Sequence, residues 1–249
     1  MSFIGGALGI ALLNLASRNG AVERCDVATA YIGRSKLEVL LGPTIWDQTR
    51  GKDVLDFGCG PGVEVVESAE HGARHVIGVD LRQRWLDLAE EHASARGVLD
   101  HCTFAREWND PVDLIISLDS FEHFADPAAV LTRMRELLRP GGRVLAAFGP
   151  TWYHPLGGHI YSVFPFSHLL FSERAQVRWR SLHKTDGATT IAESGLNKMT
   201  IRRFIDLVAN SPLRFARFEL LPIRPLRLIA NRLTREFTTA AVRCELVPR

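Results

Sequence analysis

The middle of the chain alternates two hydrophobic patterns. Short apolar runs at 52–57, 74–80, 112–117 and 143–148, with a weaker one at 101–105, have the length of strands covered on both faces. Between them apolar residues return at helical spacing. Leu81, Trp85, Leu88 and His92 form one such stripe before Gly97; Val130, Leu131, Met134, Leu137 and Leu138 form another, started by Asp126-Pro127 and ended by Pro140-Gly141-Gly142. A further helix follows Gly62. Strands alternating with helices predict an α/β domain on a parallel sheet.

Outside that core the pattern loosens. Residues 3–15 are apolar, lack a basic stretch before them and are too short to cross a bilayer, so they read as a packed helix, a loose tail or a flap over a ligand, and not as a secretion signal. Val27, Tyr31, Leu37, Leu40 and Leu41 predict short edge helices, with Tyr31 and Trp46 either packed there or lying beside a cationic ligand. Residues 149–171 mix aromatics and histidines with glycine and proline, which suits a loop walling a pocket. A short helix is expected over 172–179, a polar surface loop over 185–197, a helix carrying Ile201, Phe204, Ile205 and Val208, and strands over 213–221 and 237–247. The last four residues, Leu246-Val247-Pro248-Arg249, match the remnant of a cleaved protease tag.

Candidate chemistry begins where the first strand ends. Val54-Leu55-Asp56-Phe57-Gly58-Cys59-Gly60-Pro61-Gly62 leads into glycines two apart, whose missing Cβ atoms admit either a ligand or a tight strand-to-helix turn without one. A dinucleotide fingerprint would need glycine at position 63, which is Val63. The second strand ends in Asp80, about 20 residues beyond the glycines, where ribose-binding acids stand. The D-x-G-x-G-x-G order, the D-L-I-I-S…E-H run at 113–123 and L-R-P-G-G-R-V-L at 138–145 resemble class I S-adenosylmethionine (SAM) dependent methyltransferases, of Rossmann-like fold and small-molecule type, from Gly51 to Pro150.

That resemblance implies one methyltransferase domain over 1–249: a helical N-terminal cap at 1–41, a SAM-binding core at 42–150, and a substrate loop with C-terminal strands at 151–249. It implies a doubly wound, seven-stranded, mostly parallel sheet in the order 3-2-1-4-5-7-6, the last strand antiparallel. SAM is the implied cofactor. Asp56, Gly58, Cys59, Gly60 and Gly62 would meet its methionine end, with glycine N–H groups on the carboxylate and the acid on the ammonium. Asp80 would hold both ribose hydroxyls, Leu81 would pack the adenine, and Leu118 and Asp119 would line the crevice beside the first strand. The loop 106–109 would reach the adenine amine through Glu107, with Trp108 stacking, or else be a surface turn. Asp119-Ser120-Phe121 lacks the D/N/S-P-P-aromatic sequence of enzymes that methylate base amines.

Composition narrows the partners. Lys and Arg total 30 against 28 for Asp and Glu in 249 residues, a formal charge of +2, so neither nucleic acid nor stable membrane insertion is expected, while the resemblance implies a small-molecule substrate. Arg214, Arg217, Arg224, Arg227, Arg232 and Arg235 form either a solvated face or a site for an acidic partner or anionic lipid. The four cysteines make no C-x-x-C pair, which argues against a zinc ribbon or disulfide scaffold and fits a reducing cytoplasm.

Histidines supply the candidate bases. His123 reads as either a general base or a prop for the cofactor loop. His154, His159 and His168 would converge on a metal, cap turns, or, for His154 or His159, take a proton from a substrate hydroxyl; no helical i, i+4 pair and no acid among them shapes a metal site, and none is expected. The expected activity is SAM-dependent methyl transfer to a small, largely apolar acceptor through an oxygen. Protein or RNA methylation, a non-catalytic SAM-binding module and a nicotinamide-dependent oxidoreductase are the other readings.

Overall fold

Near-continuous apolarity in a strand means that neighbouring side chains enter different hydrophobic layers, because they leave opposite faces of the sheet. The computed structural model, which describes residues 4–16, 33–159, 161, 164–184 and 187–249, has that arrangement. Strands β1 Asp53–Phe57, β2 His75–Val79, β3 Cys102–Ala105, β4 Val112–Leu118, β5 Leu138–Phe148, β6 Leu213–Pro222 and β7 Thr239–Pro248 form one sheet in the order β3-β2-β1-β4-β5-β7-β6. The first five are parallel, and β7 runs antiparallel between β5 and β6. The sheet order read from the resemblance is the one found.

Leu55, Ile77, Ile115 and Val144 face one buried layer, and Val54, Val76, Leu114 and Ile116 the other. The first layer is closed by α6 Pro127–Leu137 and α9 Ile201–Ala209 through Met134, Leu137, Phe204 and Val208. The second is closed by α2 Lys36–Leu41, α3 Ile45–Thr49, α4 Val63–Glu70 and α5 Gln83–Ala95. Each fully buried Leu, Ile or Val contributes about 1.5–3 kcal/mol over its exposed state. Local signals set the ends: Ser35 Oγ accepts the Glu38 amide, and Asp126 Oδ1 accepts those of Ala128 and Ala129 just before Pro127.

Three sequence expectations change. The buried side of α5 is Leu86, Ala89 and Ala93, not the stripe through Trp85, Leu88 and His92. A Cβ at Gly62 would lie 2.6 Å from Ala89 Cβ, so the contact demands small residues, and the half-buried Trp85 lies near the guanidinium groups of Arg82 and Arg84, 5.2 and 4.8 Å from its ring centroid. Strand β5 starts at Leu138, five residues before the predicted run, because an irregularity in its register against β4 absorbs the Pro140-Gly141-Gly142 turn. Strand β7 starts after a helical turn, α10 Arg235–Thr238, and continues through Leu246 to Pro248, which pairs with Leu213.

The apolar N-terminal stretch forms α1 Gly6–Ala16, which packs on α8 Glu173–Arg180. Leu13, Phe171 and Trp179 make a small core there, and Trp179 Nε1 donates to Asn14 Oδ1 at 2.9 Å. A short α7 Ser167–Leu170 precedes α8. No helix among the described residues is long and apolar enough to cross a membrane. Tyr31 and Val27 lie outside the described residues; Trp46 stacks on His71 with ring centroids 3.7 Å apart, so it serves packing at the edge.

Candidate functional site

The loops leaving β1, β2 and β4 meet at the carboxyl edge of the sheet, where parallel strands leave a crevice. The glycine turn is left-handed at Gly58, Gly60 and Gly62, with φ of 92°, 50° and 74°. Its amides are already used. Those of Gly58 and Cys59 donate to Val79 O at 2.8 and 3.0 Å, that of Gly62 to Cys59 O at 3.0 Å, and that of Gly60 to Asp80 Oδ2 at 3.2 Å. In this structure the turn spends these N–H groups on its own shape.

The missing Cβ atoms do different work. At Gly58 a Cβ would strike Ser120 Oγ at 2.6 Å, and at Gly62 it would strike Ala89, so both glycines allow packing. At Gly60 no atom lies within 4 Å of that position, leaving open space beside the turn. Asp56, buried in β1, points Oδ2 at no hydrogen-bond partner. Burial, reinforced by nearby Glu64, pushes its carboxyl well above the usual carboxylate range.

Asp80 stands one residue past β2 and also accepts the Arg82 amide, at 2.9 Å. Arg82 Nε also donates to Oδ1, at 3.3 Å, so of the about four acceptor sites on the two carboxylate oxygens about one remains for a further donor. Lys36 Nζ, on the first turn of α2, lies 3.0 Å from Asp119 Oδ2 and 3.4 Å from Glu64 Oε1. Burial works against its charge, yet Glu64 and Asp119 outweigh that and hold the ammonium above its ordinary value. Asp119, itself left-handed at φ 48°, is raised mainly by burial and held back by Lys36. Cys59 is buried, and burial pushes its thiol up, so it packs rather than reacts.

A cleft of about 1570 Å³ opens over these groups. Gly58, Asp80, Leu81 and Asp119 line it, whereas Asp56, Cys59, Gly60, Gly62 and Leu118 are not among the described residues lining it. Leu81 beside the cleft is 75% exposed. Beside it lies the loop with Glu107 and Trp108, and farther on Phe57, Ser120, His123 and Phe124. A second depression of about 630 Å³ between α6 and α9 shares only Asp126 and Ala129 with it.

The histidines separate by position. His123 lines the cleft, and its Nδ1–H donates to Gly195 O at 2.6 Å, which leaves Nε2 with its lone pair in the neutral ring. Crowding by protein holds its pKa below the ordinary imidazole value. His159 is buried behind it, ring centroids 5.5 Å apart, and burial lowers it to about 3. His154 Nδ1 accepts the Leu156 amide at 2.9 Å, a turn-capping use, and burial lowers it to about 4. His168 Nε2–H donates to Trp152 O at 2.5 Å. Neither His154 nor His159 is among the described residues lining the cleft, and no group of three or more His, Cys, Asp or Glu among the described residues is placed to hold a metal ion.

Sequence reading missed Lys36, Glu64 and Glu122. The last is buried, accepts the Gly149 amide on Oε1 at 3.2 Å, and is pushed well above the carboxylate range by burial and Asp119. Of the loop expected at 185–197, the described residues are anchored: Asn197 Nδ2 donates to Phe121 O and Phe124 O, and Gly195 O accepts from His123.

Comparison with known proteins agrees with this geometry. A family described as a methyltransferase domain matches residues 31–180. The ubiquinone biosynthesis O-methyltransferase of Aeromonas salmonicida is 38% identical over 100 residues, 38% of this chain and 42% of that protein. The protein of the same name from Cereibacter sphaeroides is 33% identical over 162 residues, 57% of this chain and 64% of its own length. The chain thus spans less than two thirds of either relative. A solved S-adenosylmethionine dependent methyltransferase from Mesorhizobium loti shares the fold, with a TM-score of 0.53 at 20% identity over 81% of this chain and 93% of that one.

Proposed function

The chain belongs to the methyltransferase domain family, in its class I Rossmann-like fold, and from that premise we propose that it moves a methyl group from SAM to an oxygen of a small, largely apolar acceptor. The observation that carries the reading is the bond from the Gly60 amide to Asp80, which joins the glycine turn to the acid at the mouth of the cleft. The residues fit the cofactor. Gly60 leaves room against the turn, Asp56 offers an orphaned buried oxygen for an ammonium, and Asp80 keeps a lone pair for a ribose hydroxyl, with a second place if Arg82 Nε swings away. Leu81 and Trp108 give apolar surface for an adenine.

When bound, SAM supplies an electrophilic methyl carried by a sulfonium. The chain then has to orient the acceptor oxygen, exclude water and take a proton. Phe57, Trp108 and Phe124 reduce water in the cleft, and alignment of oxygen with methyl carbon supplies much of the acceleration. His123 is the base we assign, because its Nδ1–H is fixed on Gly195 and its lowered pKa keeps Nε2 free of a proton at neutral pH. The names of the relatives support oxygen as the acceptor atom. Calorimetry with SAM and with NAD tests the cofactor, and release of S-adenosylhomocysteine with a panel of small phenols tests the acceptor. Binding of NAD in place of SAM would overturn the reading.

A further inference from the structure

The connection from β6 to β7 carries its apolar side chains outward. Leu228 is 93% exposed and Leu233 92%, with Ile229 and Phe237 also open to solvent. They are not on a loose strand. Thr234 Oγ1 donates to Ile229 O at 2.6 Å, Asn231 Oδ1 accepts the Leu233 amide at 2.8 Å, and the Ile223 amide donates to Thr238 O at 2.8 Å, so the backbone is folded while the leucines stay bare.

The charges alternate with them. Residues 223–237 hold four arginines and one acid, a net of +3. That acid, Glu236, accepts the Ile201 and Arg202 amides at 3.0 and 2.9 Å, so it is committed to the start of α9. Among the described residues no carboxylate forms an ion pair with Arg224, Arg227, Arg232 or Arg235.

We propose that residues 223–237 dock the protein on an anionic lipid bilayer, the leucines entering the headgroup region and the arginines pairing with lipid phosphates. Charge complementarity selects this occupant: bare leucines set between unpaired guanidinium groups suit a fluid surface that closes around each side chain, whereas a protein partner needs a continuous patch of matching shape. Phe237 packs on Tyr153, ring centroids 5.5 Å apart, so the docking segment touches the loop that follows β5.

The test is sedimentation of the full chain with phosphatidylcholine vesicles, alone and with about one quarter phosphatidylglycerol. Binding is expected with the anionic vesicles only, and should weaken as salt rises from about 0.1 M to about 0.5 M. Arg224→Gln with Arg227→Gln should lower the partition coefficient about tenfold or more. Leu228→Ser with Leu233→Ser should lower it as strongly at unchanged melting temperature, because both side chains are already in solvent. Absence of sedimentation with anionic vesicles, or wild-type partition of both variants, overturns the proposal. So does self-association that Leu228→Ser with Leu233→Ser abolishes while vesicles bind nothing, since the occupant would then be a second copy.

Discussion

Oδ2 of Asp80 takes the amide of Gly60 at 3.2 Å, so a hydrogen bond ties the turn after β1 to the acid after β2. Replacing Asp80 by Ala removes an acceptor for both the turn and the ribose. SAM affinity should fall by about 1–3 kcal/mol, the worth of hydrogen bonds to a charged group, as read by calorimetry. Unchanged affinity would remove Asp80 from the site.

Gly60 and Gly62 should respond differently to a side chain. Gly60→Arg projects into open space, so it should lose only about 1–2 kcal/mol, the strain that a side chain brings at φ 50°, while SAM binding disappears. Gly62→Ala adds to such strain a methyl driven into Ala89 and Phe104 and should cost about 1–3 kcal/mol more of stability from overpacking. Equal melting losses in both would contradict the packing described here.

Lys36→Met leaves Asp119 and Glu64 without their shared ammonium. Stability should drop by about 1–3 kcal/mol near neutral pH. The deficit has a sign with pH: burial already raises Asp119, and losing Lys36 raises it further, so the folded variant binds more protons than its unfolded chain and weakens as pH rises. Chemical denaturation near pH 5 and pH 8 should find the larger gap from wild type at pH 8; a gap that narrows with pH would refute the assignment.

His123→Ala should cut turnover by about 10²–10⁴-fold at unchanged SAM affinity, the usual contribution of a general base. Activity of the wild type should decline only below the ordinary imidazole range, because the ring is shifted down. His154→Ala should leave the chemical step nearly intact, since that ring caps its own turn. The reverse ranking of the two variants would move the base to the loop after β5.

His168 is lowered from 6.5 to about 4 by burial. Its unfolded form gains a proton first as pH falls, so it contributes stability that is present above 6.5 and lost on the way down to about 4. His168→Gln keeps a donor for Trp152 O without the titration. Its melting temperature should therefore decline less than that of wild type between about pH 7 and pH 5.

Much of the frame was readable along the chain. Apolar runs marked β1, β2 and β4, Asp126-Pro127 marked the start of α6, Met134 fell on its apolar stripe and is buried, and the acids at positions 56 and 80 fell at neighbouring strand tips. These signals are local: strand and helix periods, caps and glycine turns act within a few residues, so they survive without a partner element.

Tertiary structure alone decided which face of α5 turns inward, because Gly62 and Phe104 select Ala89 from across a layer. It also brought Lys36 to Asp119 and Glu64, and placed His123, but not His154, on the cleft. Ion pairs and clefts form between segments far apart in sequence. Their geometry depends on how helices and strands pack, a quantity that no single stretch of residues contains.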